Sequence, residues 1–187
     1  MDIILASQSP RRKELLGLLN IPFTVRVADI DETLRSDLPL EEAVAQLSRR
    51  KAEAVDPQEN RLIIAADTIV VVDDRVLGKP KDADDAVQML NLLSGRTHRV
   101  MTGLTVLGQN TCVSHTEVTE VTFRKLTRQE ILAYVQSGEP MDKAGSYGIQ
   151  GSAAPFVQSI CGDYYNVVGL PVCRLSQILK QFTEETL

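Results

Sequence analysis

Asp67 stands between the apolar runs "LIIAA" and "TIVVV". A carboxylate in such surroundings is rarely left without a partner. The chemistry open to it is that of a metal ligand or a general base at a strand end; the alternative is a strand-breaking turn that merely exposes it. The second reactive stretch is "SQSPRRKELL". Ser9 has the character of a helix N-cap and Pro10 that of a first helical residue, so free backbone N–H groups point at whatever lies before the turn. Arg11, Arg12 and Lys13 crowd this first turn, where the helix dipole disfavours each cation by roughly 0.3–1 kcal/mol. An anion in front of the turn reverses that sign, whereas a solvated basic helix start needs only screening by salt and water.

Other residues add weaker signals. Asp29, Asp31 and Glu32 follow the second predicted strand and could complete a Mg²⁺ site, since hard cations take oxygen ligands; three acids in a loop are also simply solvated in many proteins. Lys51, Lys79 and Lys143 lie in "RRKAEA", "LGKPKD" and "MDKAGSYG", and each taken singly reads as a surface cation. Gly145, Gly148 and Gly151 let backbone approach a ligand closely. No Gly-x-x-x-x-Gly-Lys-Ser/Thr pattern occurs, so the phosphate loop of Walker type is excluded.

These residues sit in a chain of 187, with 43% apolar and 24% charged side chains. That length and composition predict one globular domain or two closely joined lobes. The net charge of −5 gives no extended basic stripe and argues against a nucleic-acid partner. No apolar run approaches the roughly 18 residues of a membrane span, and the N-terminus does not read as a signal peptide. Cys112, Cys161 and Cys173 form neither a disulfide framework nor a metal clip; they read as small buried hydrophobes of a reducing cytosol. With two histidines, His98 and His115, zinc chemistry and a Ser-His-Asp triad are poorly supplied.

The elements that must position the site follow from periodicity. Ile3 to Ala6 reads as a buried strand, and Pro10 to Leu19 as a helix with Leu15, Leu16 and Leu19 inward. Phe23 to Val27 alternates like a strand, and Glu41 to Val55 is helical with Val44, Leu47 and Val55 on one stripe. "RLIIAADTIVVVDD" predicts two short strands broken at Asp67-Thr68. "DADDAVQMLNLLSG" predicts a helix stopped by Gly95, and Arg99–Leu107 with Thr111–Phe123 a hairpin. Thr127 and Glu130 form a capping box for a helix that ends at Gly138. Short strands near Pro155–Ile160 and Tyr165–Val168 precede a last helix, Pro171–Phe182. The class predicted is α/β, with a mixed curved sheet and flanking helices.

Six motifs, "LASQSPRRKELL", "AADTIV", "GKP", "LSGRTHRVMTG", "EPMDKAGSYGIQG" and "VVGLP", occur in the order found in the Maf family. On them, over essentially the whole chain, the sequence resembles that family of nucleoside-triphosphate pyrophosphatases, also described as septum-formation inhibitors. The resemblance implies a single domain over 1–187, built as two lobes around a deep cleft and related to inosine-triphosphate pyrophosphatases. The free thiols, the net charge and the lack of a long apolar run lead to the expectation of a cytoplasmic protein with no membrane or nucleic-acid partner; the resemblance implies a homodimer. It also implies a divalent metal, Mg²⁺ or Mn²⁺, and hydrolysis of a nucleoside triphosphate to monophosphate and pyrophosphate. Asp67 matches the family's catalytic acid, with Glu32 and Asp67 toward the metal. Ser9, Arg12, Lys51, Lys79 and Lys143 match substrate-binding and phosphate-binding positions. Arg11, Thr68 and Gln150 match the residues that mark the dTTP/UTP branch. The branch acting on 7-methyl-GTP has Trp where Arg11 stands, and this chain contains no tryptophan. A regulator of septum formation that senses nucleotide without turnover is the alternative of another class.

Overall fold

The apolar run before the Ser-Pro turn, Asp2–Leu5 (β1), pairs in parallel with Phe23–Val25 (β2) on one side and Arg61–Val72 (β3) on the other. The computed structural model describes residues 2–27, 29–55 and 61–184. Pro10–Gly17 (α1) links β1 to β2, and Leu40–Glu53 (α2) links β2 to β3. Arg75–Leu77 (β4) folds back antiparallel on the end of β3. Ala83–Leu93 (α3) leads to the long strands Thr97–Leu107 (β5) and Cys112–Phe123 (β6). Arg128–Gln136 (α4), Val157–Cys161 (β7), Tyr164–Val168 (α5) and Val172–Glu184 (α6) complete the chain. The strands form one mixed seven-stranded sheet in the order β2-β1-β3-β5-β6-β7, with β4 paired to β3 off this path. The expected α/β class with a mixed sheet is the one observed.

The chain divides into two compact units. The first comprises residues 1–67, 102–117 and 169–187; the second comprises 68–101 and 118–168. Strands β3, β5 and β6 each contribute residues to both units.

In the first unit, Ile4 pairs with Ile63 across the parallel ladder, and side chains two apart share a face. Ile4, Ala6, Ile63 and Ala65 therefore present one apolar surface, which Ala52 and Val55 cover, with Leu107 packed against it. Val55 lies just past the end of α2 yet is buried. Strand β5 meets α2 at Gly103, where a Cβ would stand 2.2 Å from the Val44 carbonyl oxygen. Beside it a hydroxyl chain runs from the buried Ser48 to the buried Thr105, 2.7 Å, and out to the exposed Ser114, 2.9 Å.

In the second unit, Asp73 and Asp74 both adopt positive φ, the backbone of a tight two-residue hairpin between β3 and β4. Asp82 caps α3, and Thr127 with Glu130 forms the expected capping box of α4. The core holds an edge-to-face chain of rings, from Tyr134 through Phe156, Phe123 and Tyr147 to His98. His98 is 2% exposed, and its Nε2 lies 2.7 Å from the Tyr147 hydroxyl.

Four expectations are corrected. Strand β3 does not break at Asp67-Thr68: its backbone continues through Val72, and only the side chains change from apolar to polar. Tyr165–Val168 is not a strand but part of α5. There Asp163 accepts the Tyr165 N–H, Gly162 and Gly169 bend the backbone at positive φ, and the buried Asn166 amide binds Val100 O and Thr119 Oγ1. Helix α1 stops at Gly17, so Leu19 lies beyond it and is half-buried. Cys161 and Cys173 are exposed and Cys112 half-buried, so the thiols are not core residues.

Candidate active site

Strand parity places the central acid. Asp67 continues the face on which Ile63 and Ala65 meet Ala52, so it emerges one step past the apolar contact, where Lys51 of α2 stands. Lys51 Nζ donates to Asp67 Oδ1 at 2.5 Å and pairs with Glu32 Oε1 at 2.9 Å. The Lys51 and Asp67 side chains are 13% and 14% exposed, whereas Glu32 is 63% exposed. One ammonium thus holds two carboxylates that the sequence separates by 35 positions. This pairing is what allows β3 to carry an acid without breaking.

Glu32 is placed by its neighbours. Asp31 Oδ1 accepts the backbone N–H and the hydroxyl of Thr33, which closes a tight turn. Arg50 then donates to Asp31 O at 3.0 Å and to Thr33 O at 2.7 Å, bracketing Glu32 on both sides.

The β1–α1 turn supplies the cations. Ser9 caps α1 through the Arg12 N–H at 3.4 Å, and Pro10 opens the helix as expected. Arg12 does not project straight into solvent. Its Nε donates to Gly169 O at 2.8 Å and its Nη1 to Ser7 Oγ at 3.3 Å, while Ser7 Oγ also accepts the Ser9 N–H. Burial pulls the Arg12 guanidinium below its ordinary value, Asp67 and Glu32 push it back up, and Arg11 pulls it down. The field of the two carboxylates therefore reaches this turn, and Arg11, half-buried, belongs to the same local charge group.

The remaining predicted residues belong to the second unit. Thr68 follows Asp67 on β3 and is half-buried. Lys79 is exposed in the Gly78-Lys79-Pro80 turn. That turn is tied to the glycine-rich segment by the Gly145 N–H, which donates to Gly78 O at 3.0 Å. Gly145 has φ +67 and approaches Val70 so closely that a Cβ would lie 2.9 Å from its methyl carbons. Lys143 turns onto its own segment: Nζ donates to Glu139 O at 2.6 Å and Asp142 Oδ1 at 2.7 Å. Gln150 is exposed on the turn between Gly148 and Ser152.

The structure thus brings Ser9, Arg11, Arg12, Glu32, Lys51 and Asp67 into the first unit, with Thr68, Lys79, Lys143 and Gln150 in the second. Ser7, Gly169, Arg50 and Glu139 are supporting residues that sequence reasoning did not single out. Ser7, Gly169 and Glu139 lie within quoted motifs, and Arg50 precedes Lys51; Gly169 and Arg50 act through partners 157 and 19 positions away, which left no local signal. Among the described residues no cluster of three or more His, Cys, Asp or Glu side chains forms. The donor set is two carboxylates converging on one ammonium, which suits a hard cation completed by water and phosphate oxygens.

A model of the Maf-like protein family matches residues 2–182. A dTTP/UTP pyrophosphatase from Bacillus cytotoxicus is 54% identical over 180 residues, covering 96% of this chain and 94% of that protein. Proteins of the same description from Bacillus cereus (strain G9842) and Bacillus mycoides are 52% and 51% identical, over 96% and 98% of this chain and 95% and 96% of theirs. Among solved structures, a HAM1 protein from Coxiella burnetii superposes with a TM-score of 0.54 at 17% identity, over 97% of this chain and 99% of that one, a likeness of fold. Residues 2–182, and with them every candidate site residue, place this chain in the family of Maf-like proteins.

Proposed function

We propose that this protein hydrolyses nucleoside triphosphates, dTTP and UTP foremost, to the monophosphate and pyrophosphate. The observation that carries the reading is the Lys51 ammonium shared by Asp67 and Glu32, under the charge of Arg12. Relatives more than half identical are dTTP/UTP pyrophosphatases, and the family resemblance gives Arg11, Thr68 and Gln150 as the residues that mark that branch.

In this reading, water attacks the α-phosphorus, the bond to the bridging oxygen of the β-phosphate breaks, and pyrophosphate leaves. Lys51 holds Asp67 by Oδ1, so Oδ2 is the oxygen that takes the water proton. Glu32 and Asp67 would hold Mg²⁺ or Mn²⁺, which when bound neutralises charge on the phosphate oxygens. Arg12, Lys51, Lys79 and Lys143 bind phosphate, with the N–H groups behind Ser9. Gln150 offers a donor and an acceptor to a pyrimidine edge, and Thr68 steadies it. A homodimer is the state that the family resemblance implies, and the free thiols suit a reducing cytoplasm. No helix among the described residues is long and apolar enough to cross a membrane.

The test is release of pyrophosphate from dTTP, UTP, CTP and 7-methyl-GTP with Mg²⁺ or Mn²⁺. Pyrophosphate from dTTP and UTP, abolished by chelator, is expected. Orthophosphate as first product overturns the cleavage site, a preference for 7-methyl-GTP overturns the branch, and tight binding without turnover favours the regulator.

A further inference from the structure

We propose that Glu139 is a positioning residue that fixes the Gln150 turn and through it sets the choice of base; this rests on the reading that Gln150 meets the base edge. The Ser152 N–H donates to both carboxylate oxygens of Glu139, at 3.1 and 3.0 Å. The Tyr134 hydroxyl donates to Glu139 Oε1 at 3.2 Å and accepts the Gly148 N–H at 3.3 Å. The two ends of the segment 148–152 therefore converge on one carboxylate–phenol pair, and Gln150 is its midpoint.

Glu139 is itself held at both main-chain groups. Its N–H donates to Ser137 Oγ at 3.2 Å, and its carbonyl accepts Lys143 Nζ at 2.6 Å. The turn lies so close to the Glu139 and Lys143 side chains that a Cβ at either of two glycines would displace them. A Cβ on Gly151 would stand 1.9 Å from Glu139 Oε1, and one on Gly148 would stand 2.7 Å from the Lys143 stem. Before a phosphate draws it away, the Lys143 ammonium also steadies Glu139 through its carbonyl. Burial opposes ionisation of Glu139, but the Ser152 and Tyr134 hydrogen bonds and the Lys143 charge outweigh it and hold its pKa below the ordinary 4.5.

Glu139→Gln keeps the shape of the side chain and replaces one acceptor by a donor facing the Ser152 N–H. The preference for dTTP over CTP should narrow about tenfold, through KM for dTTP, while kcat for CTP stays nearly constant. Gln150→Ala should narrow the preference by a similar factor, and the double variant should narrow it no further. An equal loss of kcat on every nucleotide with the preference intact, or no change at all, overturns the proposal. If Glu139→Gln fails to fold, Tyr134→Phe decides: a narrowed preference supports the clamp and an unchanged one overturns it. If Gln150→Ala leaves the preference unchanged, the reading of Gln150 falls, and the assignment of base choice to Glu139 falls with it. The clamp has its own readout in the Ser152 amide proton resonance, which should titrate with the Glu139 carboxylate below pH 4.5 in the wild type. A Ser152 resonance that does not titrate there removes the clamp whatever Gln150 does.

Discussion

The contact between Lys51 and Asp67 carries a prediction in which stability and activity separate. Both side chains are about one-seventh exposed, and Nζ–Oδ1 is 2.5 Å. Breaking a fully buried pair costs roughly 3–5 kcal/mol, because one charge stays uncompensated. Here residual solvent softens the loss, and in Asp67→Asn the ammonium keeps Glu32 at 2.9 Å, so Asp67→Asn should cost about 1–2 kcal/mol and Lys51→Met, which leaves two carboxylates together, about 2 kcal/mol. For a chain of this size that lowers Tm by roughly 3–6 °C. The double variant removes both charges and should be more stable than the sum of the singles by about 1 kcal/mol. Activity should not follow. Asp67→Asn should reduce pyrophosphate release by about 10²–10⁴-fold, and the double variant, though more stable than the summed singles, should stay inactive. Urea unfolding of the four proteins, with pyrophosphate assays on the same samples, checks this. Stability effects that add within about 0.5 kcal/mol would refute the energetic coupling; activity of Asp67→Asn within tenfold of wild type would refute the role of the acid.

Arg50→Leu removes the donors to Asp31 O and Thr33 O. Because these bonds position Glu32 at the surface, kcat/KM should fall about tenfold with little change in Tm, and the metal concentration for half-maximal rate should rise. His98 gives a pH dependence of stability. Its burial pushes the pKa from 6.5 down to about 4, so the unfolded chain takes up the proton first, and stability falls as pH drops from about 6.5 towards 4. At about 1.36 kcal/mol per pH unit, that interval is worth roughly 3 kcal/mol. Thermal unfolding from pH 7 to 4 should show the loss, and His98→Gln should lack its portion above pH 4.5.

Local chemistry was legible in the sequence; tertiary compensation was not. Ser9 and Pro10 at α1, the Thr127–Glu130 box and the Gly138 stop are decided within a turn of chain, and each stands where its residue type predicts. The supposed break at Asp67 failed because its partner lies 16 residues away on a helix. Tyr165–Val168 has β-forming side chains, yet Asn166 is tied to Val100 and Thr119, and that pair of distant bonds outweighs propensity. The candidate site was readable as a set of residue types through family motifs. Its supports were not, because Arg12 reaches Gly169 across 157 positions and Arg50 reaches Asp31 across 19.

The same geometry bears on when a divalent cation enters. Lys51 Nζ occupies one oxygen each of Asp67 and Glu32, the two carboxylates suited to a metal. A lone cation must compete with that ammonium for those oxygens and lies within the field of Arg12, whose guanidinium is coupled to both acids. In the proposed reading, an incoming triphosphate would change the balance, since its oxygens would draw Lys51 and Arg12 and could supply further hard ligands to the cation. Metal should therefore bind weakly to the protein alone and at least about tenfold more tightly with a non-hydrolysable nucleotide present. Calorimetric titration with Mg²⁺, with and without that analogue, measures the ratio independently of turnover. Lys51→Met removes the competing ammonium and should raise the affinity for metal alone. Equal affinities with and without nucleotide, together with no gain in Lys51→Met, would mean that the ammonium does not guard the carboxylates.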